Sequence, residues 1–222
     1  MNKKIIIVTP HPDDETLGCG GTLLKYKKEN HDLYWLIVTG MGDSFTKDRK
    51  LKRQKEIDTV ANIYDFKEVF QLDFPAAELD CIPMGDIVGR ISQVFSKVMP
   101  QIVFTPYPGD IHSDHKVVFD ATMSCTKWFR YPSVERVLAY ETLSETDFSI
   151  DPDANGFRPN VYINIGGFLE EKIKIMNIYA SEISAFPFPR SEKAIKSLAY
   201  LRGAASGYEE AEAFMLLKER IE

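Results

Sequence analysis

The chain has 222 residues, 44% of them hydrophobic and 27% charged, with a formal net charge of −6. These values fit one globular domain over 1–222 with a full core. They disfavour a nucleic-acid partner, whose phosphates reward clustered Lys and Arg. No apolar run approaches the roughly 18 residues of a membrane span. The N-terminus, with Lys3-Lys4 and then four strongly apolar residues, lacks a signal-peptide pattern. Cys19, Cys81 and Cys125 are widely spaced and form no C-x-x-C. They read as free buried thiols in a reducing compartment, and a cytoplasmic location is expected.

Residues 4–9 are a β-branched run closed by Pro10 and predict a buried strand. A helix is expected over 14–29, with Leu17, Leu23 and Leu24 apolar and a polar end. Residues 33–39 predict the next strand, closed by Gly40 and Gly42. A charged helix follows over 47–64, then a short strand over 67–72. Residues 84–99 repeat Ile87, Val88, Ile91, Val94, Phe95 and Val98 at helical spacing. Residues 101–106 predict a strand and 114–129 a helix. This alternation implies βαβ units: an α/β chain with a mainly parallel sheet between helices, a three-layer α/β/α Rossmann-like fold. Beyond 136 the pattern loosens. Strands at 137–141 and 161–165 flank a loop over 144–159, and helices are expected at 167–183, 191–201 and 208–221. The linker 185–190 is unusually aromatic and suits either packing under the last helices or a substrate or subunit wall.

Three of the four histidines fall where an expected strand turns into an expected helix. His11-Pro12-Asp13-Asp14-Glu15 follows the first strand, and His112-Ser113-Asp114-His115 follows the fourth. Ligands of open parallel sheets bind beyond the carboxyl ends of the strands, near a switch in strand order. If the first and fourth strands are neighbours, His11, Asp14 and His115 converge on one divalent metal. Zinc is expected, and Fe2+ or another divalent ion suits the same donors. Two imidazoles and one carboxylate leave a position open for water, as catalytic zinc sites do. A helix N-cap accounts for Asp13 or Asp14 alone, but not for His-x-Asp-Asp-Glu. Tyr107 and Asp110 lie on the approach to His112, and Asp110 is expected to bind substrate. In Gly18-Cys19-Gly20-Gly21, Leu23 stands where G-x-G-x-x-G needs its last glycine. Close helix–sheet packing suits these glycines better than a phosphate loop.

Pro10-His11-Pro12-Asp13-Asp14-Glu15, with Gly18 and Gly20-Gly21 behind it, resembles the first motif of the PIG-L/LmbE-like zinc-dependent de-N-acetylases. His112-Ser113-Asp114-His115 resembles their second motif, usually His-Pro-Asp-His. Arg53-Gln54-Lys55-Glu56 resembles an Arg-x-x-Glu of their second helix. Arg202-Gly203 and the stretch Gly207 to Phe214 resemble their closing segment, so the similarity spans essentially the whole chain. The resemblance implies a Rossmann-like fold and hydrolysis of the N-acetyl group of an amino sugar, often N-acetylglucosamine joined to a carrier. On the matching positions it implies His11, Asp14 and His115 as zinc ligands and Asp13 as the base. It also implies His112 as oxyanion donor, Asp114 as its orienting partner, and Arg53 as a substrate contact. Asp114 equally suits a partner of a ligand histidine.

The expected partner is therefore a small amino-sugar conjugate. The acidic exterior and the aromatic linker permit a homo-oligomer. Two other readings stand beside this one: a metallo-amidohydrolase for a non-sugar acylated amine, and a nucleotide-binding module without chemistry that uses the glycine segment.

Overall fold

A computed structural model describes residues 2–42, 45–149 and 156–221. Its seven strands are β1 (Lys4–Thr9), β2 (Asp32–Gly40), β3 (Glu68–Pro75), β4 (Ile102–Pro106), β5 (Arg136–Tyr140), β6 (Val161–Asn164) and β7 (Ala211–Glu219). Six α-helices accompany them among the described residues: α1 (Asp14–Lys28), α2 (Lys47–Tyr64), α3 (Met84–Val98), α4 (Ser113–Ser124), α5 (Leu169–Met176) and α6 (Glu192–Ser206). The sheet order is β3-β2-β1-β4-β5-β7-β6. The first five strands in that order pair in parallel, and β7 runs antiparallel to both β5 and β6. The chain thus adopts the expected α/β fold with a mostly parallel sheet between helices.

Alternation along β1 builds the three layers. Ile5 and Ile7 face one core with Leu33, Trp35 and Ile37 of β2, under α1, α2, α5 and α6. Ile6 and Val8 face the other with Leu36 and Val38, under α3 and α4. Side chains on a strand alternate between faces, so a strand covered on both sides reads as an unbroken apolar run.

The segment 208–221, expected as a helix, is β7. Its Glu, Ala, Met, Leu and Lys content favours helix locally, but tertiary pairing overrides it. Phe214 is fully buried against Phe104, with ring centroids 5.1 Å apart. Gly207, at φ 79°, ends α6 and turns the chain into the strand. The expected helix at 167–183 is also shorter, ending at Met176. Residues 150–155 of the expected loop lie outside the described residues. All three cysteines are free, but Cys81 is exposed rather than buried. Among the described residues no helix is long and apolar enough to cross a membrane.

Glycines set how closely α1 lies on the sheet. A Cβ at Gly18 would stand 2.3 Å from Cδ2 of Tyr140, and one at Gly21 2.7 Å from Cβ of Ile165. The amides of Gly21 and Thr22 donate to the Glu212 carboxylate at 2.8 and 2.7 Å. Lys172 Nζ bridges that carboxylate (2.7 Å) to the Leu17 carbonyl (2.9 Å). The glycine segment is therefore a packing face whose amides already hold an internal anion, which removes the basis for a phosphate loop.

Candidate metal and catalytic site

β1 and β4 pair directly, Ile5 with Ile102 through Ile7 with Phe104. The two histidine corners therefore emerge side by side at the carboxyl edge of the sheet. Thr39 of β2 fixes the first corner by donating its amide and its hydroxyl to the Pro10 carbonyl at 3.0 and 2.7 Å.

Asp14 is the hub of the convergence. Its Oδ2 accepts the His11 amide at 2.9 Å and stands 3.5 Å from both His11 Nδ1 and His115 Nε2. Donors about 2.1 Å from one tetrahedral ion are about 3.4 Å apart, so these two spacings suit a shared metal. The three donor atoms all lie within 4.8 Å of one another. His115 Nε2 is buried and has no hydrogen-bond partner among the described residues. A buried unpaired nitrogen is costly unless a ligand or an ion satisfies it. The residues present therefore fit a divalent cation.

Each imidazole is held from behind. His115 Nδ1 donates to Asp110 Oδ2 at 2.8 Å, and Thr146 Oγ1 donates to Asp110 Oδ1 at 2.6 Å. His11 Nε2 donates to Asp114 Oδ2 at 3.0 Å, which also accepts the Ala77 amide at 2.7 Å. Carboxylates behind histidines fix the tautomer and leave the opposite nitrogen as a lone-pair donor. Burial opposes charge on His11, but Asp114 and Asp14 outweigh it and raise its pKa to about 10, so without a cation the ring carries a proton that a bound metal would displace. Burial works the other way on Asp14, where His115 and His11 prevail and lower its pKa to about 2.

One expected role changes here, that of Asp110, and for Asp114 the second of its two expected roles fits. Asp110 is fully buried with both oxygens occupied behind His115, so it supports a candidate ligand rather than lining a substrate surface. The Asp114 carboxylate meets His11, not His112. Only the Asp114 amide reaches His112, donating to Nδ1 at 3.1 Å. That bond still fixes the His112 tautomer, with the ring hydrogen on Nε2. Burial and the neighbouring His11 hold the His112 pKa below its ordinary value, which favours the neutral ring. Its centroid is 4.6 Å from that of His11. With Asp110 behind His115, we expect Asp110→Asn to weaken metal binding about 10–100-fold, measured by competition with a chelator.

Asp13 is at the N-terminus of α1 with φ 124°, but its side chain makes no capping hydrogen bond. A non-glycine residue in that region is strained and needs support from its surroundings. Glu15 supplies it. Glu15 Oε2 accepts the Asp13 amide at 2.9 Å, while Oε1 takes hydroxyls from Thr16 (2.7 Å) and Tyr179 (2.9 Å). Burial raises the Glu15 pKa to about 7 despite these donors. Burial, reinforced by Asp14, pushes Asp13 well above the usual carboxylate range.

Arg53 reaches the corner from α2, but its guanidinium is already committed. It donates to the Pro12 carbonyl (3.3 Å), to Ser181 Oγ (3.2 Å) and to Glu182, and its Nε lies 3.3 Å from Glu56. Two contributors have no signal in the sequence: Thr146 lies in a loop without pattern, and Arg190 ends a linker distinguished only by its aromatics.

Residues 6–126, which include both corners, match the GlcNAc-PI de-N-acetylase (PIG-L) family. A "Diacetylchitobiose deacetylase" of Thermococcus kodakarensis is 27% identical, over 95% of this chain and 81% of the relative. A "Probable N-acetyl-alpha-D-glucosaminyl L-malate deacetylase 2" of Bacillus anthracis is 24% identical, over 82% of each. The crystal structure of a conserved protein from Thermus thermophilus superposes with a TM-score of 0.81 at 25% identity, covering 99% of this chain and 97% of that one. The chain belongs to the GlcNAc-PI de-N-acetylase (PIG-L) family, hydrolases that act on amide bonds.

Proposed function

We propose that this protein is a zinc-dependent hydrolase that removes the N-acetyl group of an N-acetylglucosamine-type conjugate and releases acetate. The observation that carries the reading is the buried Nε2 of His115, without a hydrogen-bond partner among the described residues and 3.5 Å from Asp14, with a second carboxylate beside it in sequence, Asp13, that makes no helix-capping hydrogen bond. The two curated relatives named above support an acetylated amino sugar. They differ in what that sugar is joined to.

An amide is a weak electrophile with a poor leaving group. His11, Asp14 and His115 would hold the metal, which when bound lowers the pKa of a water and polarises the acyl carbonyl. Asp13, not needed as a ligand while Asp14 is one, takes the proton of the attacking water. It then gives that proton to the departing amine. His112, with its hydrogen on Nε2, donates a hydrogen bond to the tetrahedral oxygen, a contribution of about 3–4 kcal/mol for one such donor. Asp114 and Asp110 keep the two ligand imidazoles in their tautomers.

Acetate release from a panel of N-acetylglucosamine conjugates and simple acylated amines tests this, with bound metal measured on the same protein. Release from the sugar conjugates, lost with a chelator, is expected. Release only from non-sugar amines would redirect the function to another metallo-amidohydrolase. Protein that holds no metal and ignores chelators would end the hydrolase reading.

A further inference from the structure

Arg190 closes the aromatic linker just before α6. Its Nη1 stands 3.7 Å from Asp13 Oδ2 and its Nη2 3.4 Å from Glu182 Oε2. The other Glu182 oxygen pairs with Arg53, which itself holds the Pro12 carbonyl. Arg53, Glu182, Arg190 and Asp13 thus form one chain of alternating charge. It joins α2 and the linker to the turn that carries His11 through Asp14. Arg190 Nε is buried with no hydrogen-bond partner among the described residues, and the guanidinium lies over the Phe188 ring, 5.6 Å from its centroid.

The geometry points to Arg190 as a positioning residue: it holds Asp13 Oδ2, with Glu182 setting the guanidinium in place, so that the other Asp13 oxygen is presented to the attacking water. A planar guanidinium can span two carboxylates at once, whereas an ammonium is a point charge that satisfies one well. Without that tether the Asp13 side chain, surrounded by Asp14, Glu15 and Glu182, is free to turn away from its neighbours. Misplacement of a reacting group by an ångström costs on the order of a hundredfold in rate. The inference rests on Asp13 as the base, and it adds what holds that base.

Kinetics of metal-loaded Arg190→Met, Arg190→Lys and Glu182→Gln provide one test. Urea unfolding of Arg190→Met and Asp13→Asn, singly and combined, provides the other. In Arg190→Met, kcat is expected to fall about ten- to a hundredfold with KM and bound metal unchanged. Arg190→Lys should recover part of that loss, and Glu182→Gln should lower kcat in the same direction at unchanged KM. The combined Asp13 and Arg190 variant should lose less stability than the two losses added together. A raised KM at unchanged kcat would make Arg190 a substrate contact and overturn the inference, as would an unchanged kcat or strictly additive stabilities. Wild-type protein that releases no acetate from any acylated amine would sink the deacetylase reading, and the urea cycle would still decide whether Arg190 and Asp13 are coupled.

Discussion

Asp13→Asn is expected to lower kcat by about 10²–10⁴-fold, the usual scale of one general acid–base group, and to leave the bound metal in place. Asparagine has nearly the shape of aspartate but cannot take a proton from water at neutral pH. It also tolerates positive φ better than most residues, so the backbone at φ 124° is not a second casualty. The Glu15 bond to the residue 13 amide involves main chain and survives the change. The metal should stay because the candidate donors are His11, Asp14 and His115. Acetate release and metal content, measured on one preparation, separate the two effects. Near-full turnover would remove Asp13 as the base. Loss of metal together with turnover would mean that residue 13 holds the ion or the fold around it.

Much of this arrangement is legible in the sequence, for a definite reason. A strand buried on both faces has to be apolar throughout, so Ile5-Ile6-Ile7-Val8 announces β1 without ambiguity. Chemistry placed at the end of such a strand stands out as an abrupt run of His and Asp. The adjacency of β1 and β4 follows from the doubly wound order, and the candidate ligand trio follows from that adjacency. What escapes is whatever depends on long-range partners. The segment Ala211–Glu219 has a helical composition, and only its place between β5 and β6 makes it a strand. Asp110 sits five residues before His115 and looks like an approach residue, yet the turn after β4 folds it behind the imidazole. The resemblance implies Arg53 as a substrate contact, but Glu182, which occupies it, is 129 positions away. Arg190 is invisible for the same reason: its partner Asp13 lies at the other end of the chain.

His115→Ala should abolish stable metal binding, a loss larger than the 10–100-fold expected when a carboxylate behind a ligand is altered. The structure contains a second possible cation trio, His11, His112 and Asp114, and this substitution discriminates between the two. In the second trio the Asp114 oxygens already accept the Ala77 and Leu79 amides, and His112 Nδ1 is taken by the Asp114 amide. In the first, the His115 Nε2 is unpaired and buried. An ion gains most where it relieves an unmet polar group, so the first trio is favoured. The paired expectation is that His112→Ala keeps its metal and loses about 10²–10³-fold in kcat, as removal of one oxyanion donor does. His115→Ala also leaves Asp110 buried with Thr146 as its remaining side-chain hydrogen-bond partner among the described residues, at a cost of about 1–3 kcal/mol in stability. Circular dichroism is therefore needed beside metal analysis, to confirm that a folded protein has lost the ion. If folded His115→Ala still holds one equivalent while His112→Ala loses it, the ion belongs to the second trio. Asp14 would then be free to act as the base assigned here to Asp13.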